Sequence, residues 1–582
     1  MYRLSYLSIR NFRSCRDVDV PLAAVTPLIG YNNAGKSNIV DACAWFAAPS
    51  VLQESDFFDP AEPVEVEGHI EGISAAVLEN VFPQHRDRLA PYIVDERVRF
   101  IRRSPLGASV KSIELLIFDP ARGEYVRNPT GIAQAIVALF PEPIVIEAMQ
   151  IASEEVGKAK ASNTIGKLLA ALLAPVERDH GVEYADQVQA LRGMLSADGD
   201  ARINALRDFD AAASQHLELF FPGIAVRVDV PLPGIKDVFR AGTIRVYEGA
   251  QSGRDLTSLG HGAQRCVQMA LVRMLAEQTS SNTGRTLLLI DEPELYLHPQ
   301  AIEQVKAAFR SLAESGYQVI YSTHSPAMLD RTAIRDVVLV RKDGARGTHR
   351  RASLPEALDR CIREREHQTQ VLFSLTHASQ VLFADQVILA EGKTEKYVLP
   401  TLIEAASGRT LGAARRALVP VEGSESILPM KAVVEALDLP TKVVADLDFV
   451  FRQRRLITLD AELEALLDVC QQYFLVLASD GVCEIDQRTG LPRGSELGTT
   501  ADAYRHLAGD ARVQGALDQI VSRLRGIGVW VWRRGTIEEH LGTQQKDARA
   551  WSTICEAVLA AGLDVGARDP AAFRDLAQWL DT

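Results

Sequence analysis

The stretch LIGYNNAGKSNIVDAC, residues 28–43, decides how the first half of this chain folds. Within it, Gly30-Tyr31-Asn32-Asn33-Ala34-Gly35-Lys36-Ser37 matches G-x-x-x-x-G-K-S without a gap. An apolar run, AVTPLIG (24–30), leads in, and SNIVDACAWF (37–46) leads out with helical character. Strand, glycine loop and helix in that order are the context a phosphate-binding loop requires. The glycines let backbone N–H groups turn inward around phosphate oxygens, and the helix N-terminus adds its positive dipole end. The spacing predicts a nucleotide site built from Gly30, Asn33, Gly35, Lys36, Ser37 and Asn38. Lys36 is expected to reach the β and γ phosphates of ATP, and Ser37 to bind Mg²⁺.

Working outward, MYRLSYLSIRNFRSCRDVDVPL (1–22) alternates apolar and polar residues around a turn near Asn11, the pattern of a hairpin. Downstream, RTLLLIDEPELYLHPQ (285–300) supplies the distant acidic strand end that such a loop needs. TLLLI has the continuous apolar character of a central parallel strand. Asp291 ends it, placed to hold Mg²⁺, and Glu292 is placed to orient or deprotonate the attacking water. YQVIYSTHSP (317–326) follows one helix later and puts His324 at its carboxyl end, where ligands collect in parallel sheets. LTSLGHGAQRCVQMALVRML (256–275) sets Ser258, Gly260 and Gly262 before an apolar helix. It resembles a variant signature motif of ABC-type ATPases, which implies a composite site completed by the opposite subunit. The long interval from Lys36 to Asp291 fits two lobes separated by an insertion. Residues about 151–215 read as that helical insertion, without a long heptad array. Gln53, Gln84 and Gln150 compete for the glutamine that would link the γ-phosphate to the second lobe.

With 582 residues the chain is too long for one core. Its apolar share of 47% and charged share of 24% are those of ordinary globular proteins. No run of about 18 apolar residues and no signal-peptide pattern occurs, and the seven cysteines form no C-x-x-C pair, which suits a reducing cytoplasm. The net charge of −13 argues against wholesale polyanion binding, so local basic clusters matter more. There are two, FRQRRL (451–456) and RKDGARGTHRR (341–351), each read on its own as a solvated loop.

A second pattern begins at QVILAEGKTEKYVLPTLIEAA (386–406): strand, turn, helix, with Glu391 at the strand end and Glu395 one turn on. TKVVADLDFVF (441–451) reads as another apolar strand with Asp446 and Asp448 on one face at its end. Carboxylates from neighbouring strand ends can share divalent metals, activate water and stabilise a leaving oxygen. GIGVWVWRRGTIEEHLG (526–542) reads as a third strand followed by Glu538 at a helix start. Glu538 can complete a second metal site or merely satisfy the helix dipole, and Lys546 can neutralise a pentavalent phosphate or be a plain surface lysine. Trp530 and Trp532 read as core. Between Asp448 and this strand no ligand stands out: ASDGVCEID (478–486) and GSELGTT (494–500) both offer carboxylates. The tail, 547–582, reads as one or two closing helices.

A glutamate strand end, a helix and a D-x-D strand end resemble the Toprim fold. The whole order, from the loop at Lys36 through DEPELYLHP and STHSP to AEGKTEK and DLD, resembles the OLD (overcoming lysogenization defect) family, which includes the Gabija anti-phage nuclease subunit. The resemblance covers residues 1 to about 546. It implies an α/β chain: an ABC-type P-loop ATPase head over 1–375 with its helical insertion, then a Rossmann-like Toprim nuclease domain over 376–582 closed by C-terminal helices. It further implies ATP binding by Gly35, Lys36 and Ser37, hydrolysis roles for Asp291 and Glu292, γ-phosphate sensing by His324, and Mg²⁺ or Mn²⁺ at Glu391, Asp446 and Asp448, with Glu395 beside them. DNA is the expected substrate, a homodimer or dimer of dimers the expected assembly, and a superfamily-one helicase a candidate partner by family analogy. Two other readings stand: a RecF-like clamp, which needs no clustered metal ligands, and a Toprim topoisomerase, which needs a tyrosine nucleophile that no recognisable winged-helix context supplies.

Overall fold

The computed structural model describes residues 2–79, 82–127, 129–139, 143–146, 164–240, 244–247, 249, 253–279, 286–329, 333–361, 379–421, 423–454, 460–496 and 498–582. The chain divides into two compact units. The first comprises Met1–Leu28, Asn33–Met328 and Lys342–His349, and the second Ile29–Asn32, Leu329–Arg341 and Arg350–Thr582.

In the first unit, β1 (Arg3–Phe12) and β2 (Cys15–Pro21) form the expected hairpin, with Leu7 opposite Val20 and Ile9 opposite Val18. β3 (Val25–Ile29) runs into the glycine loop and α1 (Lys36–Ala47). β4 (Val64–Glu71), β5 (Arg97–Ser104), β6 (Glu114–Asp119) and β7 (Glu124–Arg127) extend the hairpin into an antiparallel wing ordered β7-β6-β5-β4-β1-β2. After β8 (Ile144–Ile146) come the helices α2 (Thr164–Leu195), α3 (Asn204–Glu218) and α4 (His261–Thr279), with a short helix, Ile235–Arg240, between the last two. β9 (Thr286–Ile290), α5 (Pro299–Glu314) and β10 (Tyr317–Thr323) follow, in the strand order β3-β10-β9-β8. β9 pairs in parallel with both neighbours. Its apolar run is explained by burial on both sides: Leu287, Leu288, Leu289 and Ile290 are all fully buried. The described part of the expected insertion is α2 and α3, and residues 151–163 lie outside the described residues. Gln150, one of the three candidate linking glutamines, also lies outside them.

The basic stretch 341–351 is not a solvated loop. β11 (Val338–Asp343) and β12 (Gly347–Arg350) occupy it, separated by a short turn. Arg341 is buried, donates to the carbonyls of Leu382 and Ala384, and has its pKa lowered to about 10 by that burial. Strand alternation sends every second side chain inward whatever its charge, so a run of arginines cannot all face water.

The longest segment of the second unit begins with α6 (Leu354–Cys361), and residues 362–378 lie outside the described residues. The order is then β13 (Gln386–Ala390), α7 (Lys393–Ser407), β14 (Arg416–Pro420), α8 (Ile427–Ala436) and β15 (Thr441–Ala445). After these come α9 (Asp448–Arg452), α10 (Ala461–Ser479), α11 (Thr500–Gly509), α12 (Gln514–Gly526) and β16 (Val529–Val531). The four strands pair in parallel as β14-β13-β15-β16. Their alternation feeds two cores. Val387, Leu389, Val443, Ala445, Val529 and Val531 join the helices of the 461–526 segment on one face. Ile388, Val444 and Trp530 join α7 and the chain terminus on the other. Both faces being covered, the strands read as near-continuous apolar runs. Trp530 and Trp532 are core, as expected.

α13 (Ile537–Leu541) carries Glu538, and the tail forms three helices rather than one or two: α14 (Ala548–Ala561), α15 (Leu563–Gly566) and α16 (Pro570–Asp581). Gly562, at φ +85°, ends the first, and Asp569 caps the last with Pro570 at its first position. No helix among the described residues is long and apolar enough to cross a membrane.

Candidate functional site

Two sites emerge, one in each unit. In the first, the loop after β3 bends through Asn33 at φ +66° and Gly35 at φ +97°. Gly35 is required twice over, since a Cβ there would lie 2.0 Å from Thr348 Oγ1. Thr348 donates to the Ala34 carbonyl at 3.0 Å and pairs with Ser14 Oγ at 2.7 Å, so β12 braces the loop from beneath. Asn38 donates to that same Ser14 hydroxyl at 2.6 Å, which gives its amide a bracing role. Gly30 opens the loop directly after β3.

Lys36 is buried, its ammonium 2.9 Å from His324 Nε2, and Ser37 Oγ donates to Asp291 Oδ2 at 2.9 Å. The lysine and the histidine are therefore in contact, as are the hydroxyl and the strand-end aspartate. Glu292 Oε1 stands 2.9 Å from the same His324 nitrogen. Glu292 holds the left-handed backbone at φ +46°, unusual for a side chain this large, where its N–H donates to the Ser322 carbonyl and hydroxyl. Burial, then the neighbouring Asp291 charge, raises its pKa, as suits a proton acceptor.

Several contributors went unread in the sequence. Ser322 Oγ donates to the other oxygen of Asp291. Arg265, on α4, donates to the carbonyls of Asp291 and Glu292 at 2.9 and 3.2 Å. Glu294 Oε1 accepts from Thr323 Oγ1 at 2.5 Å and from His324 N–H at 3.0 Å. Ser322 and Thr323 sit in the quoted STHSP stretch and were within reach, while Arg265 had only its place in the signature helix to mark it. Ser258 is exposed and donates to the Asp255 carbonyl at 2.7 Å, and a Cβ on Gly260 would meet open space. Among the described residues neither hydrogen-bonds to Lys36, Ser37, Asp291 or His324. The candidate linkers Gln53 and Gln84 are both exposed, Gln53 capping a short 3₁₀ turn.

In the second unit the site lies at the carboxyl ends of β13 and β15, between which the crossovers change direction. Glu391 follows β13 and Glu395 lies in the first turn of α7. The D-x-D does not continue a strand face. β15 ends at Ala445, and Asp448 already begins α9. The ladder stops because the Asp446 N–H is taken by Glu391 Oε2 at 3.1 Å rather than by a neighbouring strand. Asp446 Oδ1 in turn accepts from Ile537 N–H at 3.3 Å, and Glu538 Oε1 accepts from Thr394 Oγ1 at 2.7 Å. Lys546 faces Glu538 Oε2 at 3.2 Å. Glu391, Glu395, Asp446, Glu538, Lys546 and Trp551 line one cavity of about 380 Å³.

Burial, then the charge of Asp448, pushes Glu391 up to about 7. Burial, with Glu538 adding, pushes Glu395 up to about 7. Asp446 rises well above its ordinary value through burial and the Glu395 and Glu391 charges, and burial raises Asp448 despite Arg452 at 2.9 Å. For Lys546, burial acts downward, but Glu538 and Asp446 outweigh it and raise its pKa. No three acidic, histidine or cysteine side chains among the described residues already stand as a closed ligand set. The donor set nonetheless fits a divalent cation: all its members are hard oxygens, and their mutual repulsion is what a bound cation relieves.

The other expected contributors lie elsewhere. Glu484 pairs with Arg493 at 2.5 Å and Asp486 closes a turn onto Thr489, so neither 478–486 nor 494–500 supplies a ligand to the cavity. In the basic cluster, Arg454 is paired with Asp468 at 2.8 Å, and Arg455 lies outside the described residues. Among the described residues of this cluster, Arg452 is the arginine paired to Asp448 at the site.

Two family models match. Residues 2–112 and 158–329 match an AAA ATPase domain, and residues 382–448 match an overcoming lysogenization defect protein-like TOPRIM domain. The chain is 33% identical to the Old nuclease of Escherichia phage P2 over 594 residues, which covers 99% of this chain and 100% of that one. It is 24% identical to the OLD nuclease of Thermus scotoductus over 485 residues, covering 76% and 82% respectively. A solved SMC head domain from Thermotoga maritima aligns with 60% of this chain and 98% of its own at 16% identity and TM-score 0.31, which adds nothing to those matches. With an end-to-end relative and an ATPase domain followed by a Toprim domain, the chain belongs to the OLD family of nucleases.

Proposed function

We propose that this OLD-family enzyme is a divalent-metal-dependent DNA endonuclease whose Toprim cleavage is gated by ATP in the ATPase domain, and that it serves in anti-phage defence. The observation that carries the reading is the buried carboxylate set at the ends of β13 and β15, with Glu391 and Glu395 both pushed up to about 7. Such a set is costly to keep unless a cation uses it.

Glu391, Asp446 and Asp448 would hold Mg²⁺ or Mn²⁺, with Glu395 and Glu538 completing the ligand field. A cation held there lowers the pKa of water and offsets charge on the leaving oxygen. Lys546, on the cavity wall, neutralises the phosphate under attack. Thr394 fixes the orientation of Glu538 through its hydroxyl. In the ATPase site, Gly30, Asn33, Gly35 and Lys36 cradle the phosphates, Ser37 and Asp291 orient Mg²⁺, Glu292 accepts the proton of the attacking water, and His324 reads the γ-phosphate. Asn38 acts through Ser14.

Ser258 and Gly260, which lack a partner role in their own nucleotide site, fit the capping of a second subunit's ATP. A homodimer or dimer of dimers follows. A cytoplasmic location and a helicase partner fit the same reading, as does a domain division near 375/376, inside 362–378 and so outside the described residues. The test is supercoiled plasmid with Mg²⁺ or Mn²⁺, with and without ATP, comparing wild type with Asp446→Ala. Loss of nicking with ATP binding retained is expected. Full cleavage by a folded Asp446→Ala protein would sink the reading. No cleavage by the wild type would favour a RecF-like clamp, and a covalent protein–DNA adduct a topoisomerase.

A further inference from the structure

The cavity of carboxylates has one aromatic wall. Trp551, three residues into α14, lines it beside Glu391, Glu395, Asp446, Glu538 and Lys546. The ring of Tyr397 stacks on Trp551, with centroids 5.1 Å apart and planes 16° from parallel. Cys555 donates to the Tyr397 carbonyl at 3.7 Å, which seats α14 against α7 and holds the two rings in register.

Tyr397 belongs to the outer side of α7. Thr394, Glu395, Val398 and Leu399 turn inward on the same helix, whereas Tyr397 is 53% exposed. One ring face is covered by Trp551. The Lys396 ammonium lies 5.4 Å from the centroid of the same ring. Lys393, Lys396 and Lys546 are all exposed around this rim. A flat π-surface, cations beside it and a carboxylate cavity behind it are the elements that single-strand recognition combines: a base on the ring, phosphates on the lysines.

We propose that Tyr397, backed by Trp551, is a nucleobase-stacking platform that receives a base of an unpaired strand next to the phosphate being cut. This rests on the nuclease reading of the neighbouring carboxylates. A base within a duplex has both faces covered by its neighbours, so the platform selects single-stranded, frayed or flipped nucleotides. Because every base presents a π-face, it confers strand-state preference without sequence preference.

The experiment uses the full-length protein and two substrates of one sequence, a labelled single-stranded oligonucleotide and its blunt duplex, cut in Mg²⁺ or Mn²⁺. Tyr397→Ala should raise KM for the single strand roughly tenfold. It should change KM for the duplex by less than about twofold and leave ATP hydrolysis unchanged. Tyr397→Phe, which keeps the ring, should match wild type, and Tyr397→Leu, which keeps only apolar bulk, should match Tyr397→Ala. In parallel, 2-aminopurine in the single strand should lose emission on binding to wild type in Ca²⁺ and keep it with Tyr397→Ala. An unchanged single-strand KM for Tyr397→Ala, or an equal rise for both substrates, overturns the platform while the nuclease reading stands. A wild-type protein that cuts neither substrate overturns the nuclease reading, and the platform falls with it.

Discussion

His540 Nδ1 and Asp569 Oδ2 stand 2.9 Å apart, and the pair ties the chain's last helix to the short helix bearing Glu538. Asp569 caps α16 through Ala572 N–H, its own N–H donates to the His540 carbonyl at 3.0 Å, and its carboxylate also takes Arg534 Nε at 3.0 Å. On the other side of α13, Glu539 accepts from Arg505 of α11 at 2.8 Å. Glu538 is thus aimed from both flanks. Asp569→Ala is expected to cut nuclease kcat about tenfold and to raise the Mg²⁺ concentration needed for half-maximal rate, with ATP hydrolysis untouched. A simple loss of folded protein would lower the amplitude without moving the Mg²⁺ requirement, so the titration separates the two.

Acidity gives a second handle. Glu391 and Glu395 titrate near 7 in the fold against 4.5 when unfolded. Between those values the folded state binds more protons than the unfolded chain, so their contribution is full below about 4.5 and fades as pH rises through about 7. Removing one charge should relieve that loss. In metal-free protein, Glu395→Gln is expected to raise Tm by at least about 2 °C at pH 8 and by about nothing at pH 4.5. Mg²⁺ should then stabilise wild type more than the variant at pH 8. Calorimetry across the pH range checks both, and a pH-independent difference would contradict the cause given.

In the ATPase site, Lys36 and Glu292 meet on one histidine nitrogen, and the proposed scheme gives them different steps. Lys36→Ala should lose ATP binding by at least about tenfold. Glu292→Gln should bind normally and hydrolyse at least about a hundredfold more slowly, leaving ATP trapped. Filter binding and single-turnover hydrolysis distinguish them. Both variants should retain metal-stimulated nicking without nucleotide, if wild type has it. Its loss in both would mean that the two sites are not separable.

The proposed sharing of nucleotide sites between subunits makes a prediction about mixtures. Lys36→Ala and Ser258→Arg should each be inactive as ATPases alone. In a mixed dimer one composite site carries both lesions and the other none, so activity should return towards about a quarter of wild type at equal mixing. No recovery after verified subunit exchange would place Ser258 outside the partner's site.

The placement of the first unit's candidate residues was legible because a phosphate loop enforces its own local spacing. Lys36 and Ser37 could be named from the loop motif and Asp291 and His324 from strand ends, and Lys36 meets His324 and Ser37 meets Asp291 within hydrogen-bond distance. The strand placement of Asp448 failed because the ladder's end is set by a side chain from another strand, Glu391, which no periodicity reports. The solvated-loop reading of 341–351 failed for a related reason: composition counts charges but not their partners, and Arg341 is buried against the carbonyls of Leu382 and Ala384. Thr348 and Asp569 carried no local signal, since their roles exist only through contacts with residues far away in the chain.

Thr348 has a consequence for how the protein is made. Its hydroxyl closes on Ala34 across 314 residues of sequence. On the ribosome, residues 30–38 leave the exit tunnel well before residue 348, so the brace arrives only after α2, α3, β9 and β10 have emerged. Contacts of such separation are late and slow, because loop closure precedes any gain from them. The braced form of the loop is therefore expected only near the end of the synthesis of the first unit. A nascent chain stalled before residue 348 is expected to carry a complete glycine motif without the hydroxyl that braces it.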